Sequence, residues 1–181
     1  MVGPAALSPL DRHASFASLF DAHYPAVLAY CRRRIAAEEA GDAALATFEV
    51  LWRAMDSPPS RPLPWLYKVA AGQLANARRS ERRRRRLFDR LAGRVGTTGA
   101  PPDPAEATAE AAAARSALAR LKPAERELLL LVAWEGLGPE EAALALGISS
   151  ATLAVRLHRA RRRLEAFLAD PQPLSSVKDA P

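Results

Sequence analysis

The chain lacks the residues and motifs on which several classes of protein depend. It contains one cysteine, Cys31, which has no partner for an internal disulfide and is expected to be a small core residue. Its three histidines lie at none of the spacings typical of metal ligands. No glycine-rich phosphate loop, nucleophile elbow or constellation of carboxylates is present. The sequence therefore predicts no catalytic site, no metal site and no cofactor.

Long apolar runs and aromatic residues are also scarce. No stretch approaches the roughly 20 apolar residues that cross a bilayer, and the first residues lack the pattern of a signal peptide. We therefore expect a cytoplasmic protein without membrane insertion. Aromatic residues make up 6% of the 181 residues, whereas hydrophobic residues reach 49%, carried largely by alanine and leucine. This balance favours helices and predicts an all-α fold of two small helical domains joined by a flexible linker.

Charge is unevenly distributed along the chain. The net charge is +6, but residues 68–94 carry +8, residues 95–153 carry −4 and residues 154–181 carry +3. Two basic blocks separated by an acidic segment predict two contacts with a polyanion, because neutralising phosphates drives DNA binding. A solvated charged surface is the plainer interpretation of any one charge run. The segregation into blocks favours nucleic acid.

Residues 137–164 predict a C-terminal helix-turn-helix. Pro139 suits the first turn of a short helix that ends near Leu146, and Gly147 suits the left-handed conformation that ends it. Ser149 or Ser150 can then cap a second helix. Gly136 can end the helix that precedes the pair.

The second helix of this pair is predicted to have two faces. Its buried stripe is expected to contain Leu153, Leu157, Ala160 and Leu164, spaced by four, three and four residues. The opposite face carries Ala151, Val155, His158, Arg159 and Arg162. Two helices joined by a short turn, the second exposing basic residues, are the geometry that places a recognition helix in the major groove of DNA. A helical hairpin with a solvated arginine face is the alternative, and the turn spacing argues against it.

The N-terminal half predicts a helical domain over residues 15–92. Residues 1–14 are expected to be disordered or weakly ordered. An amphipathic helix is predicted from Ser15, with Pro25 as a site of kinking, and a second helix from Asp42.

A proline-rich loop over 56–64 and a third helix from Pro64 complete this domain. The helix runs into an arginine block over 80–86, where phosphate contact is favoured over a solvated tail. Core packing is favoured over base stacking for Trp52, Trp65 and Trp134, because each lies on an apolar helix face.

The remaining segments are a linker, a second domain and a tail. Residues 93–104 are rich in glycine and proline and predict a linker. The second domain is expected over 105–168, with helices from Ala105 and from Pro123 before the helix-turn-helix. Residues 169–181 are expected to be a disordered tail.

Two groups of residues resemble a known family. The sequence Arg156-Leu-His-Arg-Ala-Arg161, following the turn at 146–149 and preceded by Pro123 and Arg126, is similar to region 4 of extracytoplasmic-function (ECF) sigma factors. Asp42, Phe48 and Trp52, with the Trp-Leu-Tyr sequence at 65–67, are similar to region 2 of the same family. Over residues 15–168 the chain thus resembles an ECF sigma factor of the sigma-70 family.

The resemblance implies a function and three contact surfaces. It implies a subunit that directs core RNA polymerase to promoter DNA by recognising the −35 element and by recognising and melting the −10 element, with an anti-sigma factor as a further partner. The implied −35 contacts are Ser149, Ser150, Ala151, Thr152, Val155, Arg156, His158, Arg159, Arg161 and Arg162. The implied −10 contacts are Arg61, Leu63, Trp65, Lys68, Gly72, Gln73, Asn76, Arg78, Arg79, Arg82 and Arg83. The implied polymerase contacts are Asp42, Leu45, Ala46, Phe48, Glu49 and Trp52.

Several positions depart from the family pattern. Leu45 and Ala46 stand where the family usually has Gln-Glu, which removes polar groups from the polymerase-facing surface. Gly72 stands where an asparagine is common near the flipped −10 base. Val155 replaces a serine, which places an apolar side chain within reach of a thymine methyl.

Two other functions remain open from the sequence. One is a stand-alone helix-turn-helix regulator that binds duplex DNA without recruiting polymerase. The other makes the N-terminal domain chiefly a protein-interaction module, for which an exposed apolar patch on residues 43–52 would provide the docking surface.

Overall fold

The amphipathic segments of the chain fold into helices. The structure, a computed structural model, describes residues 8–92 and 109–170, and within these ranges it contains seven α-helices and no strand, as the composition predicts. The helices are α1 Pro9–Arg32, α2 Ala37–Arg53, α3 Pro62–Ala92, α4 Ala109–Arg120, α5 Pro123–Ala133, α6 Pro139–Leu146 and α7 Ser150–Ala169. Helices α1 to α3 form one compact unit and α4 to α7 form another. The predicted linker over 93–104 and the predicted tail from residue 171 lie outside the described residues.

Helix α1 begins at Pro9 rather than at the expected Ser15. Ser8 caps it, since its Oγ accepts a hydrogen bond from the backbone N–H of Asp11 at 3.2 Å. Pro9 fits the first turn because its missing N–H would have no helical partner there. The expectation of disorder for residues 1–14 is therefore wrong for residues 9–14. The helix then continues through Pro25 to Arg32.

Helices α2 and α3 also begin earlier than predicted. Helix α2 begins at Ala37 rather than Asp42, and Glu38 and Glu39 lie in its first turn, where carboxylates interact favourably with the positive end of the helix dipole. Helix α3 begins at Pro62 rather than Pro64. The proline-rich connection is correspondingly shorter and runs from residue 54 to residue 61.

Aromatic and aliphatic side chains form the core of the first unit. The Phe48 ring lies 4.8 Å from that of Phe20, measured between centroids in an edge arrangement, and Tyr30 stacks on Tyr67 at 4.8 Å. Cys31 is fully buried, as predicted. The fully buried side chains of this unit include Tyr30, Phe48, Leu51, Met55 and Leu66. This core fixes which faces of α2 and α3 remain in solvent.

In the second unit, one arginine links α5 to the end of α4. Helix α7 packs against α4, α5 and α6. The half-buried Arg126 donates from Nε to the Leu118 carbonyl at 2.7 Å, and from Nη2 to the carbonyls of Ala119 at 2.6 Å and Leu121 at 3.3 Å. Carbonyls at a helix C-terminus have no partner within the helix. Arg126 therefore supplies the C-terminal cap of α4 from a neighbouring helix.

Candidate nucleic-acid interface

Helices α6 and α7 form the predicted helix-turn-helix. Gly147 ends α6 with φ of 65°, in the left-handed region that favours glycine. Ser149 caps α7, because its Oγ accepts a hydrogen bond from the N–H of Thr152 at 3.2 Å. Of the two candidate serines, Ser149 is therefore the cap and Ser150 is the first helical residue. The turn, its cap and both helix ends agree with the sequence pattern.

Helix α7 separates an apolar face from a basic one. Leu153, Leu157 and Ala160 are buried against the other helices and Leu164 is half-buried, as predicted. The residues expected at the −35 element lie on the rest of the helix or at its cap, and all are exposed except the half-buried Thr152. These residues are Ser149, Ser150, Ala151, Thr152, Val155, Arg156, His158, Arg159, Arg161 and Arg162.

The exposed face of α7 combines one apolar side chain with several arginines. At about 100° per residue, Val155, Arg159 and Arg162 fall near the middle of the face, with Arg156 and Arg161 at its two edges. The Val155 side chain is 52% exposed. This arrangement can place a few side chains against base edges and the flanking arginines against phosphates.

Most residues expected at the −10 element share one exposed face of α3. Lys68, Gly72, Asn76, Arg79 and Arg83 follow one another along it and all are exposed, with the half-buried Trp65 on the same side. Exposed Arg61 lies just before the helix, the half-buried Gln73 is turned away from the centre of the face, and the exposed Arg82 lies at its edge. The side chains of the arginines at 84–86 lie outside the described part of the chain.

Two of the expected −10 residues lie elsewhere on α3. Arg78 donates from Nη2 to the Arg34 carbonyl at 2.8 Å, so its guanidinium binds the end of α1 rather than standing free on the shared face. Leu63 is half-buried and projects toward the packed side of the helix. Arg78 stays exposed but lies off the shared face, as does Leu63, and the expected contact of these two residues with the −10 element stays a prediction.

The exposed face of α2 carries three of the expected polymerase contacts. Asp42 and Glu49 are exposed, and Leu45 is 48% exposed. Ala46 is half-buried. Phe48 is only 1% exposed and packs on Phe20, so its side chain lies in the core rather than on this exposed face.

Trp52, the sixth expected polymerase contact, is partly covered by the start of α1. The Arg12 guanidinium lies 4.8 Å from the Trp52 ring centroid, and its Nη2 donates to the Trp52 carbonyl at 3.0 Å. Arg12 also forms an ion pair with Asp56 at 2.9 Å, and the rings of His13 and Phe16 meet Trp52 edge-on. Sequence reasoning missed this cluster because it left the residues before Ser15 without a helix.

The structure places two groups of apolar residues that bear on the sequence predictions. Trp134 was expected in the core, but it is 66% exposed, because it lies at the C-cap of α5 beyond the buried stripe of that helix. An exposed apolar patch on residues 43–52 would favour the protein-interaction alternative, but Ala43, Ala44, Phe48 and Leu51 are buried. Leu45, at 48%, is the most exposed large aliphatic side chain of that segment.

Other chemistry is limited in the described residues. Partial burial lowers the pKa of His23 from its ordinary value of 6.5, since burial disfavours the charged imidazolium. No group of three or more histidine, cysteine, aspartate or glutamate side chains in residues 8–92 and 109–170 could hold a metal ion. None of the helices there combines the length and the apolar character needed to cross a membrane.

A capped helix-turn-helix with an exposed basic second helix, on a chain with a separate three-helix unit, defines a helical DNA-binding transcription protein. Residues 19–84 match the family Sigma-70 region 2 and residues 111–164 match Sigma-70, region 4. The chain belongs to the ECF branch of the sigma-70 family.

Named relatives support this assignment. The RNA polymerase sigma factor NccH of Alcaligenes xylosoxydans xylosoxydans is 33% identical over 132 residues, which cover 70% of this chain and 71% of the relative. The ECF RNA polymerase sigma factor SigD of Mycobacterium bovis is 32% identical over 152 residues, which cover 78% of this chain and 71% of the relative. The function is accordingly that of a sigma factor, which binds core RNA polymerase and promoter DNA, rather than that of a stand-alone regulator.

A solved structure shows the same fold. It is the sigma factor RpoE in complex with the anti-sigma factor NepR from Bartonella quintana, with a TM-score of 0.62 and 23% identity. The likeness covers 87% of this chain and 99% of that one.

Proposed function

We propose that this ECF sigma factor recognises the −35 element through the exposed face of α7 and contacts the −10 element through the exposed face of α3. The observation that carries the proposal is the face of α7, where exposed arginines surround Val155 behind a correctly capped turn. Recognition helices of this kind enter the major groove with their N-terminal half against the base edges.

The residues of α7 divide by position into base-reading and phosphate-binding groups. Arg159 is central and long enough for a bidentate contact to guanine, and Val155 can meet a thymine methyl. Arg156, Arg161 and Arg162 neutralise the flanking phosphates, and the N-terminus of α7 at Ser149 and Ser150 offers backbone N–H groups to another.

The face of α3 serves the −10 element. Lys68, Arg79 and Arg83 supply cations along one side of the helix, while Asn76 and Gly72 leave room for a strand to approach closely. Melting requires a base to leave the stack, which costs a few kcal/mol that protein contacts must offset. The half-buried Trp65 at the start of this face provides an aromatic ring on which such a base can stack.

The exposed face of α2 is the proposed contact with core polymerase. It presents Asp42 and Glu49 around Leu45, an acidic border around one apolar side chain that suits a basic partner surface. Catalysis in this proposal belongs to the polymerase, and the protein acts where the polymerase does, in the cytoplasm. By analogy with the Bartonella quintana complex, we propose an anti-sigma factor as a further partner.

Runoff transcription tests the proposal. Core polymerase is incubated with a genomic fragment library with and without the protein, and new start sites are sequenced. We expect new starts that share paired −35 and −10 elements. For Arg159→Ala, we expect a loss of preference at one −35 position worth about 1–3 kcal/mol. No new starts, or an unchanged −35 preference in the variant, would contradict the proposal.

A further inference from the structure

A cationic cleft lies beside the DNA-facing surface of the second unit. It is enclosed by α5, α7 and the end of α6, with a volume of about 450 Å³. Its apolar floor consists of Leu128, Leu146 and Ile148, and its cationic residues are Lys122, Arg156, Arg159 and Arg163. Arg156 and Arg159 also belong to the exposed face of α7, so the cleft opens where DNA phosphates are expected.

One carboxylate, Glu125, lies among these cations. Its side chain is 18% exposed, and its Oε1 forms an ion pair and hydrogen bond with Nη1 of Arg163. Its Oε2 is buried and has no hydrogen-bond partner among the residues that the structure describes. A buried carboxylate oxygen without a donor is normally costly, and here the surrounding cations and the positive end of α5 stabilise its charge.

We infer that Glu125 is a specificity-determining residue that acts as a built-in counter-ion in this cleft. The inference rests on the proposed function, in which α7 binds DNA. The carboxylate occupies the place where a phosphate oxygen would otherwise bind, and it holds Arg163 away from the DNA backbone. Arg156 and Arg159 remain exposed for the phosphate and base contacts proposed above.

The physical argument concerns which complexes an additional cation would strengthen. Phosphate contacts are independent of sequence, and each adds about 0.9 to the slope of log K against log salt. In the specific complex, base contacts fix the position of the protein along the DNA. In non-specific complexes the protein can shift along the DNA until the added cation contacts a phosphate. Releasing Arg163 therefore strengthens non-specific binding more than specific binding.

The test compares Glu125→Gln with the wild-type full chain. Binding to two short duplexes is measured by fluorescence anisotropy over a range of salt concentrations, one duplex carrying the −35 element found by start-site mapping and the other a scrambled sequence. One added phosphate contact corresponds to roughly eightfold tighter binding at about 0.1 M salt. For Glu125→Gln we expect a rise of up to this size on the scrambled duplex, a salt slope steeper by about one, and a lower specificity ratio.

Glu165→Gln is the matched control, because it makes the same change of charge at an exposed position of α7 that does not line the cleft. Equal effects of the two variants, or a loss of affinity for both duplexes in Glu125→Gln, would overturn the inference. Circular dichroism verifies folding. If the buried amide of Glu125→Gln prevents folding, Glu125→Leu removes the same charge and places an apolar side chain against the apolar floor. We expect this variant to show the same rise in affinity for the scrambled duplex. Binding equal to that of the wild type would also overturn the inference.

A second control separates this inference from the proposed function. Arg159→Ala is expected to weaken binding to the specific duplex. If it leaves binding to both duplexes unchanged, the assignment of α7 as the DNA-binding helix fails. If Arg159→Ala weakens binding while Glu125→Gln behaves as Glu165→Gln does, only the inferred role of Glu125 is refuted.

Discussion

Replacing Arg126 by alanine would remove the C-terminal cap of α4. The guanidinium makes hydrogen bonds to three carbonyls, two of them at 2.7 Å and 2.6 Å and the third at 3.3 Å. A hydrogen bond from a charged group contributes about 1.5–3 kcal/mol, but Arg126 is only half-buried and water can replace part of what is lost. The three contacts also share one side chain and are not additive. We therefore expect Arg126→Ala to lower the free energy of unfolding of the second unit by about 2–4 kcal/mol.

The assay combines thermal unfolding with hydrogen exchange on the full chain. For a unit of about 60–100 residues, each kcal/mol corresponds to roughly 4–8 °C in Tm, so the transition should fall by at least about 8 °C. Exchange should rise most in peptides from α4, whose last turn loses its cap. Arg126→Lys should give an intermediate result, because one ammonium cannot span carbonyls that a planar guanidinium reaches together.

Arg161→Ala is the control, because it removes an exposed arginine from the same unit. It should change stability by no more than about 0.5 kcal/mol. The reasoning would be refuted if Arg126→Ala matched this control in both Tm and exchange, since the hydrogen bonds would then contribute no net stability.

Three further predictions concern the helix cap, the core and one histidine. Ser149→Ala should destabilise the second unit by about 1 kcal/mol in chemical denaturation. Ser149→Asp should retain the cap but lose DNA affinity, because its negative charge faces phosphate. Equal DNA binding by the two variants would contradict this prediction. Phe48→Ala should lower the free energy of unfolding by about 3–5 kcal/mol. Leu45→Ala should leave stability nearly unchanged and weaken binding to core polymerase in a pull-down. The opposite pattern would show that Phe48, rather than Leu45, contacts the polymerase. Because burial lowers the pKa of His23 in the folded state, the unfolded chain binds the proton more readily, so stability should fall as pH drops below about 6.5. His23→Gln should reduce that fall in denaturation curves at several pH values, and an unchanged pH dependence would exclude His23 as a source.

The two homologous regions explain the charge blocks of the sequence. The basic residues of α3 up to Arg84 lie in the segment matched to region 2, and those of α7 lie in the segment matched to region 4. Each block contributes a row of exposed cations on one helix face. Two separate contacts with DNA are what the proposed recognition of two promoter elements requires, and the spacing of charge along the chain agrees with that proposal.

Local signals in the sequence determined the helix-turn-helix. Gly147 adopts the left-handed conformation and Ser149 caps α7, because both roles depend on the backbone within a few residues. The periodicity of Leu153, Leu157 and Ala160 likewise determined which face of α7 is buried, since a helix repeats every 3.6 residues whatever surrounds it. A capping serine followed by a proline is also present at Ser8 and Pro9, where α1 begins although disorder was predicted.

Only the tertiary structure decided which side chains meet across the chain. Arg126 caps α4, Arg12 covers Trp52, and Arg163 pairs with Glu125 although 38 positions separate them. An arginine that binds carbonyls and an arginine that faces solvent have the same periodicity, so charge patterning cannot distinguish them. Packing also placed Phe48 inside and Trp134 outside, because burial depends on where neighbouring helices end as well as on the apolar pattern of each helix.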